Sequence, residues 1–504
     1  MKKLLLSVAV IASIAAMAQK DPAKKFAETI TAKDLKTKLT VIAGPGMEGR
    51  ETATEGQRKA ATFIENHFKK LGLQPGAGNG YQMEYPVYQD SLQSVSFSVN
   101  GRVFTLDKDF TISAGSFATF QRTAKDVVFA SFGIVDSTSN DYDGLNVSKK
   151  WVLLIDGTRA DVDKAPDAES RSNLRALYMK VALAKKNGAR GVIIVSNDFP
   201  KKEAFARLGN MQLKQTADSS IVPVVYASKQ AAAAIVGKQV SALSDLSKQV
   251  RGIYPATIDL NVVRFTKTLH STNVLGVLPG TDKKDEYVFV TAHYDHLGKK
   301  GDVIYYGADD DGSGTTSVLQ IAEAFAKAKA KGISPKRTIV FMTVSGEEKG
   351  LWGSEYYSEH PAFPLDKTSV DLNIDMVGRI DPDRKEGDST NYVYTIGEDK
   401  LSSELFGISD SINKKYMNLE LDRRFNDPND PNKFYYRSDH FNFAKKGVPV
   451  IFYFNGVHAD YHRPTDTVDK INFNVMEKRV RLVFYTAWEM ANRENMLKRD
   501  IPLK

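Results

Sequence analysis

The stretch that decides the fold is residues 287–344, in which two apolar runs flank one helical segment. The first run is YVFVTA at 287–292, and the second is TIVFMTV at 338–344. Between them, residues 317–328, SVLQIAEAFAKA, have the apolar spacing of a helix. Near-continuous apolar strands that alternate with helices are typical of a parallel sheet covered by helices.

The same pattern continues on either side of this stretch. Residues 370–374 and 448–454 are further apolar strands, and residues 475–492 are predicted to form a C-terminal helix. Near the other end of the chain, residues 54–71 also place apolar side chains at helical spacing. The sequence therefore predicts an α/β fold with a mixed, mostly parallel sheet flanked by helices.

A second, smaller α/β module interrupts this pattern. Short apolar strands are expected at 127–135, 151–155, 191–195 and 221–226, with a helix at 174–186. These elements are self-contained, because the pattern of the main domain resumes only after them. The sequence thus predicts one inserted module within a larger domain.

The predicted organisation of the chain has four parts. Residues 1–18 are a signal peptide, and residues 19–115 are the N-terminal part of the main domain. The inserted module takes residues 120–260, and the main domain continues through residues 265–504.

The signal peptide is predicted from MKKLLLSVAVIASIAAMA at residues 1–18, where two lysines precede an apolar run and a small-x-small site. We expect cleavage after Ala18 and export to a periplasm or to the medium. No later segment is long and apolar enough to cross a bilayer, so no stable membrane anchor is expected.

Composition narrows the chemistry that this chain can perform. Its 504 residues are 42% hydrophobic and 26% charged, which is typical of globular proteins and excludes a wholly disordered chain. It has no cysteine, so any metal must be held by His, Asp and Glu. The net charge of +8 is spread along the chain without a dense basic stripe, and no nucleic-acid partner is expected. The sequence does not determine the oligomeric state.

Five clusters of potential metal-binding residues follow predicted strands or lie in loops near them. They are HYDH at 293–296, GADDDGSG at 307–314, SGEEKG at 345–350, Asp375 and YHRPTDT at 461–467. Each cluster alone can be explained without a metal, for example as a surface loop, a helix cap or an ion pair. Together they favour a single site, because open α/β sheets bind ligands at the carboxyl ends of their strands.

The residue types in these clusters suit metal-assisted catalysis. Three adjacent carboxylates at 309–311 repel one another and need a cation or open solvent. Asp295 is well placed to accept a hydrogen bond from the ring of a metal-bound His293. In the pair formed by Glu347 and Glu348, one carboxylate can bind metal while the other handles protons.

In their order along the chain and in their residues, these motifs resemble those of the M28 family of zinc metallopeptidases. This family includes co-catalytic aminopeptidases and glutamate carboxypeptidase-like enzymes. The resemblance covers roughly residues 35–80 and 272–504, including GMEGRETATEG at 46–56 and NIDMVGR at 373–379. It implies the zinc-exopeptidase-like version of the predicted fold. The inserted module, around residues 151–228, is similar to a protease-associated (PA) domain.

The resemblance implies two zinc ions that are bridged by Asp310. One ion would also be held by Glu348 and His462, and the other by His293 and Asp375. This oxygen-rich ligand set does not by itself exclude manganese or cobalt, so the identity of the metal comes from the resemblance.

Further roles are implied by the same resemblance. Glu347 matches the general base, and Asp295 matches the residue that orients His293. Tyr435 matches a tyrosine that helps to stabilise the oxyanion in some family members. The family also implies a cis peptide bond at 310–311.

The leading functional interpretation is an exported aminopeptidase that removes N-terminal residues from peptide substrates. A carboxypeptidase or dipeptidase on the same scaffold would need cations for a substrate carboxylate, and Arg379, Arg437 and Arg463 are candidates. A glutaminyl-cyclase-like transferase uses one zinc ion, and the full set of five ligands disfavours it. A non-catalytic protein that binds partners through the PA module is the alternative from a different class.

Overall fold

The computed structural model describes residues 21–503, apart from residues 138, 161, 163–170, 201–206 and 216. The predicted signal peptide at residues 1–18 therefore lies outside the described residues. Among the helices of the described ranges, none is both long enough and apolar enough to span a bilayer.

The described residues form both helices and strands, numbered here in chain order. The α-helices of the described residues are α1 Pro22–Ala27, α2 Ala32–Ile42, α3 Glu55–Lys70, α4 Arg171–Lys186, α5 Lys229–Val236, α6 Leu243–Ser247, α7 Gly314–Lys329, α8 Trp352–Glu359, α9 Leu405–Tyr416, α10 His440–Ala444 and α11 Phe473–Asn492. The strands are β1 Gln74–Pro75, β2 Gln82–Val99, β3 Arg102–Phe104, β4 Phe110–Ile112, β5 Phe120–Ala124, β6 Val127–Phe129, β7 Trp151–Ile155, β8 Gly191–Val195, β9 Leu208–Gln212, β10 Val224–Ala227, β11 Gly252–Tyr254, β12 Ile258–Leu278, β13 Lys283–His293, β14 Lys299–Lys300, β15 Val303–Ile304, β16 Arg337–Val344, β17 Thr368–Ile374, β18 Tyr392–Ile396, β19 Glu420–Asp422 and β20 Val450–Phe454.

The chain divides into two compact units. The first comprises Met1–Pro86 and His270–Lys504, and the second comprises Val87–Leu269. The first boundary between the units lies inside β2, after Pro86, whereas the sequence predicted this boundary near residues 115–120. Because β2 crosses the division as one continuous strand, no turn or change of composition marks that position in the sequence.

The first unit is built on a mixed sheet with a parallel centre. Its strand order is β19-β18-β20-β17-β13-β16-β12. Strand β13 runs parallel to both β16 and β17, and β17 runs parallel to β20. Strands β18 and β12 are antiparallel to their neighbours β20 and β16. This arrangement confirms the predicted mixed, mostly parallel α/β class.

Successive residues of β13 pack on opposite faces of this sheet. Val288 and Val290 belong to an apolar cluster that includes side chains of α2, α7 and α11. Phe289 points the other way and packs against Tyr357 of α8 and Phe443 of α10, with ring centroids 5.6 and 5.3 Å apart. Because both faces are covered by helices, the central strands are apolar throughout rather than alternating.

The parallel register brings several strand ends to one edge of the sheet. His293, the last residue of β13, is in register with Val344, the last residue of β16. Ile374, which ends β17, pairs with Tyr453 near the end of β20. The residues that follow these four strands therefore lie close together.

The second unit contains its own six-stranded sheet, with the order β11-β6-β7-β8-β10-β4. Strands β6, β7, β8 and β10 are parallel to one another, and β7 and β8 are completely buried. Helix α4 connects β7 to β8, as the sequence predicted for residues 174–186. The inserted module is therefore an α/β unit.

Candidate metal centre

Five sequence-predicted ligands converge at the carboxyl edge of the first unit's sheet. His293 ends β13, Glu348 follows β16, and Asp375 follows β17. Asp310 lies in the segment that leads into α7, and His462 lies in the loop after β20. The structure thus brings together side chains that lie as far apart in the sequence as residues 293 and 462.

One group of donors surrounds the Oδ1 atom of Asp310. The Nε2 atom of His293 lies 3.2 Å from Asp310 Oδ1 and 3.7 Å from Asp375 Oδ1. All three residues are buried, and their donor atoms lie within 4.8 Å of one another. An imidazole and two carboxylates at these distances form a pocket for a cation.

A second group surrounds Oδ2 of the same carboxylate. The Nε2 atom of His462 lies 3.1 Å from Asp310 Oδ2 and 3.1 Å from Glu348 Oε2. His296 also lies here, with Nδ1 at 2.7 Å from Glu348 Oε1 and 3.8 Å from Asp310 Oδ2. Asp310 thus presents one oxygen to each group, which is the arrangement that a bridging ligand requires. The sequence analysis did not assign His296.

The hydrogen bonding of these atoms tests whether the residues fit metal ions. His293 Nε2, Asp310 Oδ2 and Glu348 Oε1 are buried without a hydrogen-bond partner. A buried polar atom without a partner costs about 1–3 kcal/mol, and several such atoms facing one another are stable only around a cation. Imidazole nitrogen and carboxylate oxygen are ordinary zinc ligands, so the residues fit zinc.

Glu347 lies beside the first group without belonging to either. Its Oε2 is 3.9 Å from His293 Nε2, and its side chain lines the same small cavity as Asp310 and Asp375. Burial raises the pKa of the Glu347 carboxyl well above its usual range, the imidazole of His293 opposes this, and the carboxylate of Glu348 adds to it. A carboxyl group with a raised pKa can both accept and return a proton near neutral pH.

Asp295 contacts His293 through two oxygens. The ring Nδ1 of His293 lies 3.1 Å from the main-chain oxygen of Asp295 and 3.6 Å from its carboxylate Oδ1. The carboxylate is held by the hydroxyl of Thr52, at 2.8 Å, and by the backbone N–H of Glu347. A proton on Nδ1 leaves Nε2 of His293 free to bind metal.

Tyr435 does not line the cavity at the metal centre. A short helical turn, Phe434–Tyr436, directs Phe434 into that cavity and Tyr435 into a separate one of about 260 Å³. The tyrosine that does line the cavity is Tyr461, whose ring stacks on His462 at 3.9 Å. Its position directly before His462 is the sequence signal that could have identified it.

The three candidate arginines differ in their surroundings. Arg379 is ion-paired, with Nη2 at 3.0 Å from Asp460 Oδ2. Arg463 is exposed and is not one of the residues lining the cavity. Arg437 is exposed, lines the cavity and lies over the ring of Phe434 at 4.8 Å. Only Arg437 of the three therefore offers its charge to a molecule in that cavity.

Buried polar residues that the sequence analysis did not assign hold the ligand loops. Arg50, within the GMEGRETATEG motif, donates hydrogen bonds to the carbonyl oxygens of Ile42, Tyr294, Tyr306 and Gly307. These bonds connect the loop after His293 to the segment before Asp310.

Two more hydrogen-bonding residues act directly on the ligands. Asp466 Oδ2 accepts from the backbone N–H groups of Asp309 and Asp310, at 3.0 and 3.2 Å. Ser438 donates to Asp375 Oδ2 at 2.7 Å. The peptide bond between Asp310 and Asp311 is cis, as the family resemblance implies.

Comparison with protein families gives matches to both units. Residues 273–487 match the model of Peptidase family M28, and residues 122–235 match that of the PA domain.

Two curated proteins illustrate the similarity. Aminopeptidase YwaD of Bacillus subtilis (strain 168) is 27% identical over 339 residues, which are 65% of this chain and 63% of that protein. A probable zinc metalloprotease of Pyrenophora teres f. teres (strain 0-1) is 27% identical over 264 residues, which are 45% of this chain and 52% of that protein. The chain thus spans between about half and two thirds of the length of these relatives.

Among solved structures, an aminopeptidase from Aneurinibacillus sp. strain AM-1 matches with a TM-score of 0.53 and 20% identity. The match covers 96% of this chain and 100% of that one, and it shows that the two share a fold.

Proposed function

We propose that the chain is a zinc metallopeptidase of family M28, and within it an aminopeptidase with a two-zinc centre, since residues 273–487 match peptidase family M28 and residues 122–235 match the PA domain. It would remove residues from the free N-termini of peptides. The observation that carries this proposal is the position of Asp310, whose two carboxylate oxygens face two separate groups of buried donors.

The proposed ligands follow from these two groups. His293 and Asp375 would hold one ion, Glu348 and His462 would hold the other, and Asp310 would bridge them. When bound, the two ions supply a water molecule of lowered pKa and polarise the scissile carbonyl group.

The residues of the chain provide the proton transfers. Glu347 takes the proton of the attacking water and returns it to the leaving amine, a role supported by its raised pKa and its place in the cavity. The main-chain oxygen and carboxylate of Asp295 keep the ring of His293 in one orientation.

We assign oxyanion stabilisation to Tyr461 rather than to Tyr435, because Tyr461 lines the cavity. Burial raises the pKa of the Tyr461 phenol, and the carboxylates of Asp310 and Glu348 raise it further. The hydroxyl therefore keeps its proton and can donate it in a hydrogen bond to the carbonyl oxygen of the substrate.

A preference for N-termini is supported by the charge of the cavity. Three of its lining residues are carboxylates, namely Asp310, Glu347 and Asp375. Asp310 and Asp375 would be neutralised by metal, which leaves Glu347 as the lining carboxylate that attracts an α-ammonium group. The Bacillus subtilis relative is named an aminopeptidase, which supports the same assignment.

A carboxypeptidase or dipeptidase is the second candidate, and Arg437 is the observation that favours it. This exposed guanidinium lines the cavity, and a planar guanidinium binds a carboxylate through two hydrogen bonds. Arg379 is less suitable, since Asp460 already pairs with it.

Export is part of the proposal and depends on the signal-peptide pattern of residues 1–18. The enzyme would act in a periplasm or in the medium. A chain without cysteine suits either location, since it folds independently of the redox state of its surroundings.

The test is mass spectrometry of a peptide mixture in which every peptide is present with a free and with an acetylated N-terminus. An aminopeptidase shortens only the free peptides, one residue at a time from the N-terminus. Shortening from the C-terminus that ignores acetylation would reject the aminopeptidase assignment in favour of a carboxypeptidase. The Glu347→Gln variant, loaded with zinc, controls for contaminating peptidases.

A further inference from the structure

His296 lies in the metal centre, but the sequence motifs gave no role to this residue. The side chain is completely buried, and its Nδ1 atom faces two carboxylates, Glu348 at 2.7 Å and Asp310 at 3.8 Å. The ring is tightly enclosed, since a Cβ atom on Gly307 would come within 2.5 Å of it. Gly307 also has a positive φ of 56°, so the backbone next to this imidazole favours glycine.

Nδ1 of His296 and Oε1 of Glu348 lie close together without the alignment of a well-formed hydrogen bond. Among the described residues, neither ring nitrogen of His296 has a well-aligned hydrogen-bond partner, and neither does Oε1 of Glu348. Their separation of 2.7 Å is short enough for a hydrogen bond, so the direction of the N–H bond is what excludes one. The same lack of hydrogen bonds is found for His293 Nε2 and Asp310 Oδ2, which belong to the two donor groups.

A buried imidazole without any hydrogen bond is costly unless a metal ion satisfies it. The donor atoms of His296, Asp310 and Glu348 lie within 4.8 Å of one another, a spacing that allows all three to bind one ion. His462 approaches the same two carboxylates from the solvent side, with 37% of its side chain exposed. The two imidazole ring centroids are 5.9 Å apart with an interplanar angle of 66°, so the rings do not obstruct each other.

We propose that His296 is a fourth protein ligand of the ion held by Asp310, Glu348 and His462. The inference rests on the proposed two-zinc centre and adds one ligand to it. The position near His462 then has two imidazoles and two carboxylates, whereas the position near His293 has one imidazole and two carboxylates.

This asymmetry separates the roles of the two ions. A zinc ion with four protein ligands is held more strongly than one with three, and the ion with three has more room in its coordination shell for other molecules. The ion near His462 is therefore retained most strongly, and the ion near His293 exchanges first.

The first test counts histidine ligands in the wild-type protein. X-ray absorption of the enzyme loaded with two zinc ions measures the average number of imidazoles per ion. We expect a total of three histidine ligands for the two ions. A total of two histidine ligands would overturn the proposal. A wild-type protein that binds only one zinc ion would instead contradict the two-zinc centre itself, so the two failures are distinguishable.

The second test uses His296→Asn. The Asn amide can occupy the place of Nδ1 as a hydrogen-bond donor but supplies no imidazole nitrogen, and His360→Asn alters an exposed histidine as the matched control. We expect His296→Asn to release its more strongly held zinc ion to a chelator at least about tenfold faster. The visible spectrum of the cobalt-substituted protein should change as well.

The control should match wild type in both measurements. If His296→Asn also releases zinc and absorbs light like wild type, His296 is not a ligand.

Discussion

The Oδ1 atom of Asp310 lies 3.2 Å from Nε2 of His293. Its other carboxylate oxygen faces a different histidine, His462, at 3.1 Å. One side chain thus connects two groups of donors that come from different strands of the sheet.

Removal of the shared carboxylate should affect both metal positions. We expect Asp310→Ala to lose both zinc ions, and Asp375→Ala to lose mainly the ion near His293, because Asp375 contacts only that group. Turnover should fall by more than about a hundredfold in both variants. Metal analysis after gel filtration distinguishes them, with Asp302→Ala as a surface control. Retention of two ions by Asp310→Ala would exclude the bridging role.

Glu347→Gln should keep its zinc and lose turnover. The Gln amide preserves the size of the side chain but cannot accept the proton of the attacking water, so we expect kcat to fall by about 10²–10⁴ with little change in KM. The measurement is steady-state hydrolysis of a chromogenic peptide analogue alongside zinc content. Glu386→Gln, at an exposed position, serves as the control. A near-normal kcat would remove Glu347 as the general base.

The two tyrosines can be compared by deleting one hydroxyl at a time. Tyr461→Phe should lower kcat by about 10²–10³, since its hydroxyl would no longer donate to the oxyanion while the ring still stacks on His462. Tyr435→Phe should leave kcat close to wild type, because Tyr435 lines the other cavity. The opposite ranking of the two variants would return the role to Tyr435.

A buried carboxyl away from the ligands should make stability depend on pH. Burial raises the pKa of Asp371 to about 8, and the hydroxyl of Thr291 donates a hydrogen bond to its carboxyl group at 2.7 Å. The pKa of an Asp side chain in an unfolded chain is about 3.9, so folding favours the protonated form of Asp371. The stabilising contribution is complete below about pH 4, decreases by roughly 1.4 kcal/mol per pH unit, and is lost above about pH 8.

Asp371→Asn removes this titration, and the unfolding free energy of the variant should depend less steeply on pH between 5 and 8. Denaturant unfolding of the zinc-loaded protein at several pH values measures the difference. Asp366→Asn, at an exposed site, should keep the wild-type slope. Parallel curves for wild type and Asp371→Asn would show that the carboxyl is already ionised in the folded state.

Arg50 should matter for both folding and metal retention. Arg50→Met keeps the length of the side chain and removes the guanidinium donor from four carbonyl groups, of which that of Gly307 still accepts from the N–H of Gly312. We expect the free energy of unfolding to fall by at least about 3 kcal/mol, since each buried unsatisfied acceptor costs about 1–3 kcal/mol. Zinc affinity should fall in the same variant. Thermal melts with and without zinc check both effects, and unchanged melts would contradict them.

Much of the fold follows from local patterns in the sequence. Apolar runs such as 287–292 and 338–344 indicate strands that are buried on both faces, and helical spacing at 317–328 identifies the crossover between them. His293, Glu348 and the other candidate ligands follow strands directly or lie in nearby loops. Since parallel strands end at one edge of a sheet, the sequence is enough to predict that these residues converge.

Other features depend on side-chain directions that no spacing rule gives. Phe434 and Tyr435 are neighbours in a short helical turn, where one step rotates the side chain by about 120° and separates the two cavities. Burial of His296 against Gly307 depends on a turn between them. The division at Pro86 lies within a continuous strand and has no local signal.

The sequence by itself therefore determined the α/β class, the inserted module and the convergence of the five residue clusters, because these depend on periodicity along strands and on their parallel ends. The choice of Asp310 and its partners within those clusters came from the family resemblance. Only the tertiary structure decided that Tyr461 lines the cavity, that His296 joins the second group and that Arg50 holds the ligand loops. Those contacts arise between irregular loops, whose directions are set by packing across the whole domain rather than by neighbouring residues.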